Sequence, residues 1–309
     1  MTESRMADSR EVTGPHRPIM VAEVLAHLRP APGETFVDCT LGGGGHARAI
    51  LERLRPGGRL VGLDVDPIEL PRTEARLRGA GFGDMLHVHR RRFTDLPAVL
   101  GEAGIAAADG ILVDLGVSAM QHDTPDRGFS YRHHGPLDLR MDPTTGEPAA
   151  QRLSRLDEAS LVRVLADYAD EPHAATIAAA LARQPVPTTH ALDRLVRRSL
   201  AEHVPGITKA ASKMSVRRTF QALRILVNDE LAALDGLLRA LPACLAPGGR
   251  VVVLTFHSGE DRRVKQAFRT GWREGVYGAI SRAVVRSAKD ETFANRRAAA
   301  AKLRWAVKR

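Results

Sequence analysis

Aromatic residues are scarce in this chain: eight Phe, three Tyr and two Trp make up 4% of 309 residues. That shortage argues against a single-strand nucleic-acid platform built from one stacked base after another. Cysteine is scarcer still. Cys39 and Cys244 alone cannot build a disulfide framework, and a reducing, cytoplasmic location is expected. No stretch approaches the ~18 consecutive apolar residues of a membrane span. Residues 1–10 are polar and include acids, so they lack both the apolar core of a signal peptide and the acid-poor composition of a transit peptide. No internal repeat is visible. A hydrophobic content of 44% suits a globular protein of one large domain or two modest ones.

Acidic residues are lacking too, but only locally. Residues 261–309 hold 14 Lys/Arg against 4 Asp/Glu, whereas residues 1–260 hold 31 against 32. A second basic stretch spans 194–224 and contains Arg197, Arg198, Lys209, Lys213, Arg217 and Arg218. Two basic segments on a neutral body predict contacts to a phosphate backbone, with Arg217, Arg218, Arg262 and Arg263 as first candidates. Solvated helix faces would give the same composition.

What the chain does have is a glycine turn between two acid-ended apolar runs. Thr35-Phe-Val-Asp-Cys-Thr-Leu-Gly-Gly-Gly-Gly-His46 is followed by Leu60-Val-Gly-Leu-Asp-Val-Asp-Pro67. This layout places a nucleotide-type ligand over the carboxyl ends of two neighbouring parallel strands. Glycines admit close backbone approach, and Asp64 can accept hydrogen bonds from ribose hydroxyls. Gly42-x-Gly44-x-x-Ala47 also fits a dinucleotide fingerprint. Asp38 at the first strand end would repel a pyrophosphate but attract the sulfonium and amino group of S-adenosylmethionine. Both ligands stay open on this motif alone.

Apolar runs at 35–39, 60–64, 86–89 and 110–114 alternate with helical patterns at 46–54, 67–79 and 94–101, which reads as a parallel sheet with crossover helices. After Asp114 the alternation stops. Residues 121–148 form a long irregular segment of the kind reserved for binding or catalysis. Helical patterns follow at 157–168, 172–183 and 189–203. A long amphipathic helix is predicted over 215–241, and 250–256 is apolar enough for a central strand. The expected organisation is a discontinuous α/β domain, 1–119 with 214–309, interrupted by an all-helical substrate-recognition insertion at 120–213.

The distinctive segments are His16-Arg-Pro-Ile-Met-Val-Ala-Glu-Val24, Asp38-Cys-Thr-Leu-Gly-Gly-Gly-Gly-His46, Asp109-Gly-Ile-Leu-Val-Asp-Leu-Gly-Val-Ser118, Asp126-Arg-Gly-Phe-Ser-Tyr131, Gly135-Pro-Leu-Asp-Leu-Arg-Met-Asp-Pro143, Arg218-Thr-Phe-Gln-Ala-Leu-Arg-Ile225 and Phe256-His-Ser-Gly-Glu-Asp-Arg262. Together they closely resemble the MraW/RsmH family of ribosomal RNA small-subunit methyltransferases. The resemblance runs from His16 to about Phe268. It implies a Rossmann-like class I methyltransferase sheet with S-adenosyl-L-methionine as cofactor. The implied activity is methylation of N4 of a cytosine in the decoding region of 16S ribosomal RNA, on RNA or the small ribosomal subunit. By the same resemblance Gly44, Gly45 and His46 contact the methionine part, Asp64 the ribose and Phe93 the adenine, while Asp114 and Gln121 complete the pocket. Gly259 and Met120 depart from the family's usual leucine and proline, and the tail past Phe268 is atypical.

The chemistry can be argued from the target. The lone pair of an exocyclic cytosine amine is delocalised into the ring. An enzyme must accept its N–H bonds, turn the lone pair toward the methyl group and hold the two in line. Positioned acceptors therefore matter more than a tuned base. Asp114 is the expected acceptor, with Ser118 and Asp138 behind it. Asp114 could instead cap a helix, His257 could plug a sheet end, and Phe129 or Tyr131 could stack on the base or pack in the core. His87 and His89 lack a third partner, so no metal is expected. A competing function is a non-catalytic RNA-binding assembly factor that keeps the fold. Monomer and homodimer are both open.

Overall fold

A computed structural model describes residues 18–309, the side chain of Arg296 apart, so His16 and Arg17 of the first distinctive segment lie outside the described residues. The strands are β1 (Thr35–Asp38), β2 (Arg59–Asp64), β3 (Leu86–Arg90), β4 (Ala108–Asp114), β5 (Leu245–Thr255), β6 (Tyr277–Ile280) and β7 (Lys302–Lys308). They form one sheet in the order β3-β2-β1-β4-β5-β7-β6. β1 to β5 are parallel, and β7 runs antiparallel to both β5 and β6.

Helices α1 (Val21–Leu28), α2 (Gly45–Leu54), α3 (Glu69–Leu77) and α4 (Leu96–Glu102) belong to the first half of the sheet, and α5 (Ala119–Asp123) follows β4. Next come α6 (Ala149–Leu153), α7 (Glu158–Ala169), α8 (Ala174–Ala182), α9 (Thr189–His203), α10 (Lys209–Asn228) and α11 (Glu230–Cys244). α12 (Ser258–Arg273) and α13 (Lys289–Ala294) complete the set. Period-two alternation decides which face each strand residue serves. Val37, Val61, Ile111, Val113, Val251 and Val253 pack under α4, α11 and α12. Phe36, Leu60, Leu112, Val252 and Leu254 pack under α1, α2 and α3. With both faces covered, the parallel strands read as continuous apolar runs.

A third core lies away from the sheet. It joins Phe129, Leu137 and Leu139 of the irregular segment to α6–α10. No strand lies between β4 and β5, and Asp157, Thr188 and Thr208 cap α7, α9 and α10 through their side-chain oxygens.

Two expectations need correction. The single helix expected over 215–241 is two, broken at Asp229, whose φ is 54°. The apolar stripe runs unbroken across that joint. α10 packs into the helical core through Val216, Phe220 and Leu223, while α11 turns Leu234, Leu237 and Leu241 to the sheet. The tail treated as atypical carries β6 and β7, and β7 sits beside the fully buried Val251–Leu254 part of β5. Its Arg304 is 5% exposed and forks onto Asp261, with Nε–Oδ1 2.6 Å and Nη2–Oδ2 3.2 Å. This arginine ties β7 to α12 and is not available to a phosphate.

Candidate active site

The glycine turn sits where β1 gives way to α2, and neighbouring strands tie it down. Cys39 N donates to Leu112 O and Leu41 N to Leu63 O. Gly42 N donates to Asp64 Oδ2 at 2.7 Å, and Asp66 N to Asp64 Oδ1 at 3.0 Å. Thr73 Oγ1 and Arg76 Nη2 of α3 donate to the carbonyls of Gly42 and Gly43. The four glycines have different reasons for being glycine. A Cβ on Gly44, at φ +71°, would lie 2.7 Å from Thr73, and one on Gly45 would lie 2.6 Å from Pro18. Protein packing therefore demands those two. Gly42 and Gly43 present their open sides toward Ser118 and the end of Met120, at 3.9 and 3.4 Å.

Three carboxylates converge here, from the ends of β1, β2 and β4. Burial pushes Asp38 up to about 6, against the hydrogen bond from the Thr40 amide. Burial also raises Asp64, against hydrogen bonds from Asp66 and Gly42. Asp114 is pushed up to about 7, first by burial and then by the charge of Glu260. Its Oδ1 is buried and accepts no hydrogen bond. Its Oδ2 lies 3.6 Å from His46 Nδ1. His46 Nε2 is 2.8 Å from Ile19 O, and since a carbonyl only accepts, that nitrogen carries the proton. Burial keeps the ring neutral, so Nδ1 turns a lone pair toward Asp114. Asp114 thus has no cationic partner to hold its charge and one buried oxygen with nothing to accept. A cationic, hydrogen-bond-donating ligand would satisfy both.

Phe93 opens a short turn after β3, two residues past Arg91, whose N donates to Asp64 O at 3.1 Å. It packs partly into the sheet core. Ser118 caps α5, accepting from Gln121 N at 3.1 Å. Gln121 is buried with its amide partly committed, Oε1 to Ser118 N and Nε2 to Asp66 Oδ2. One of its amide hydrogens and one oxygen lone pair remain uncommitted. Asp138 is gripped at both oxygens by Arg140 (Nε 2.8 Å, Nη2 2.7 Å).

Of the four arginines, three meet at one seam. Arg217 Nε lies 3.4 Å from the Tyr131 hydroxyl, Arg218 4.0 Å from Glu171, and Arg262 3.9 Å from Asp170. Ser258 Oγ closes the seam onto Asp170 Oδ2 at 2.8 Å. Arg263 points elsewhere, to Asp235 of α11. Phe129 is core, whereas Tyr131 is only half-buried and rests on Phe220 with ring centroids 5.9 Å apart. His257 is buried with Nε2 3.1 Å from Glu260 Oε1, which makes it a sheet-end plug with a carboxylate partner. Glu260 also accepts from Phe256 N at 2.7 Å.

Sequence reasoning missed Asp66, Arg127 and Asn228. Arg127 stands in a segment singled out as distinctive, but nothing local shows that its partner lies 61 residues away.

Residues 13–309 match the MraW methylase family. Among curated proteins, ribosomal RNA small subunit methyltransferase H 2 of Alkaliphilus metalliredigens is 44% identical over 301 residues, 96% of this chain and 86% of that protein. Methyltransferase H of Anaeromyxobacter sp. (strain K) is 44% identical over 308 residues, covering 94% and 96%. That of Halorhodospira halophila is 46% identical over 270 residues, covering 85% and 81%. The match through residue 309 extends the resemblance past Phe268 and takes in β6 and β7.

Proposed function

The chain belongs to the MraW methylase family, and from that premise we propose that it methylates the N4 amino group of a cytosine in the decoding region of 16S ribosomal RNA, using S-adenosyl-L-methionine. The observation that carries this reading is Asp114 Oδ1, buried and without a donor at the end of β4, beside the glycine turn.

The residues suit that cofactor. Asp38, Asp64 and Asp114 offer negative charge where a sulfonium and an amino group need it. The first amides of α2 have no intrahelical partner and suit a carboxylate, the more so at the positive end of the helix. Each Asp64 oxygen accepts one backbone bond and keeps a second lone pair for a ribose hydroxyl. When bound, the cofactor supplies an electrophilic methyl group. Asp114 accepts an N–H of the target amine, turns its lone pair out of conjugation and takes up the proton the amine sheds after transfer. Ser118, beside Gly42, is a second acceptor. Asp138, held by Arg140, is left out.

We take the recognition unit to run from α5 through α10, ending at Asn228, because α10 completes its core. Tyr131 and the arginines of the seam would face RNA, with the small ribosomal subunit or its RNA as partner. No described helix is long and apolar enough to cross a membrane. Arg217→Ala with Arg262→Ala should lower the log–log salt slope of RNA binding by roughly 0.7–0.9 for each phosphate that is no longer neutralised, with cofactor affinity unchanged. An unaltered slope would mean that both side chains are merely solvated. Arg218 is spared in this test because it is the nearest cation to buried Glu171.

The decisive experiment maps modified cytosines by mass in 16S RNA from cells with and without this protein. One cytosine should lose its N4 methyl group. If the modification persists while purified protein still binds cofactor and RNA, the chain is a non-catalytic assembly factor.

A further inference from the structure

Asp66 and Arg127 form a buried ion pair, 2.7 Å from Oδ2 to Nη1, with side chains 1% and 8% exposed. Burial alone would raise the Asp66 carboxyl, and the hydrogen bonds from Arg127 and Gln121 overcome it, leaving it below its ordinary value. Asp66 lies two residues past Asp64, and its other oxygen caps the chain entering α3 through Ile68 N and Glu69 N. Arg127 reaches onward. Its Nη2 donates to Arg140 O at 3.1 Å and Met141 O at 2.7 Å, and its own carbonyl accepts Leu139 N.

The same stretch is gripped from the opposite side. Asn228, the last residue of α10, donates through Nδ2 to Leu139 O and accepts Met141 N at Oδ1, both at 2.7 Å. Its carbonyl accepts Arg92 Nη2 at 2.6 Å, one residue before Phe93. Between these anchors Leu139 is held at φ 65° while fully buried. A left-handed backbone is costly for a bulky residue and persists only where its surroundings over-determine it. The strand ends already fix Asp64 and the glycine turn through their own backbone bonds.

We propose that Arg127 and Asn228 are positioning residues for the RNA substrate: together they clamp segment 127–141 between the cofactor-binding strand ends and the helical unit, and so set where the target base lies relative to the methyl group. The inference rests on the methyltransferase reading above. It adds that the rate of transfer, and not cofactor binding, depends on the clamp. A displacement of about 1 Å at a reacting centre costs roughly 10²-fold in rate, so a loosened clamp has ample leverage.

Arg127→Lys keeps the charge but cannot serve Asp66 and two carbonyls at once. Asn228→Ala releases the segment from the other side and leaves the buried ion pair intact, so it remains informative if the first variant is unstable. Each should lower kcat on saturating RNA by on the order of 10- to 100-fold. The cofactor Kd from calorimetry should stay within about threefold, and the salt slope of RNA binding should be unchanged. The double variant should lose less than the product of the single losses, because both side chains hold one segment. Unchanged kcat with a lowered melting temperature in both variants would reduce the clamp to a fold brace and overturn the proposal. If wild-type protein fails to methylate RNA, the functional reading itself falls. If wild type is active and both variants are equally active, only this inference falls.

Discussion

Asp114→Asn should cut methyl transfer by on the order of 10²- to 10³-fold, the scale for removing one preorganised electrostatic partner from a reacting centre. Asparagine fills the same space and its oxygen can still accept one hydrogen bond. It cannot carry the negative charge that favours a cationic reacting centre, nor take up the proton the amine sheds. Because the native carboxyl is pushed up to about 7 by burial and by Glu260, the substitution removes an unfavourable charge, and the melting temperature should hold or rise near neutral pH. RNA affinity and its salt slope should stay as in wild type. A single-turnover methyl-transfer assay on RNA decides the matter, and a folded variant within threefold of wild-type rate would remove Asp114 from the chemistry.

The second large effect is a pH dependence that separates cofactor from product. Burial pushes Asp38 and Asp114 up to about 6 and 7, against the ordinary carboxylate value near 4. Both pKa values are raised, so the folded state binds more protons than the unfolded chain between those limits. The stability this contributes is complete below about pH 4 and is lost as pH rises through 6 and 7. Binding a sulfonium reverses the preference and expels a proton. Affinity for S-adenosylmethionine should therefore climb by up to about tenfold per pH unit toward pH 7 for each proton expelled, and level off above it. S-adenosylhomocysteine carries a neutral sulfur and should show a much flatter profile. Titration calorimetry in two buffers of different ionisation enthalpy would count the protons directly. Parallel profiles for the two ligands would mean that the carboxylates do not sense the sulfur.

The contrast in what could be read beforehand follows the range of the interactions. β1, β2, β4 and the glycine turn were legible because parallel strands buried on both faces leave continuous apolar runs, and the turn's residues are adjacent in sequence. Asp64 and Asp114 were legible as strand-end acids. β7 was not, because Lys302 and Lys308 end it and Arg304 interrupts its apolar residues; only the partners reveal that Arg304 is neutralised by Asp261. The joint at Asp229 was hidden by a hydrophobic stripe that continues across it while the burial partner changes. Asp138 looked like a free acceptor two residues from an arginine whose rotamer no sequence specifies. The clamp was invisible for the same reason: Arg127–Asp66 and Asn228–Met141 join residues 61 and 87 positions apart.

The interruption of the sheet also bears on the order in which the molecule is assembled. β4 and β5 are neighbours at the middle of the sheet, yet Asp114 is aligned with Leu254, 140 positions later. Closing a loop of that size costs chain entropy before any contact across it is rewarded. The helical unit would shorten the effective loop, because its core of Leu161, Ile177, Leu192, Leu200 and Val216 is separate from the two cores of the sheet. During synthesis it emerges ahead of β5, and a folded unit brings its two ends together for the strand that follows. The unit proposed to recognise substrate in the finished enzyme would then serve earlier as the scaffold on which the nascent catalytic sheet is completed.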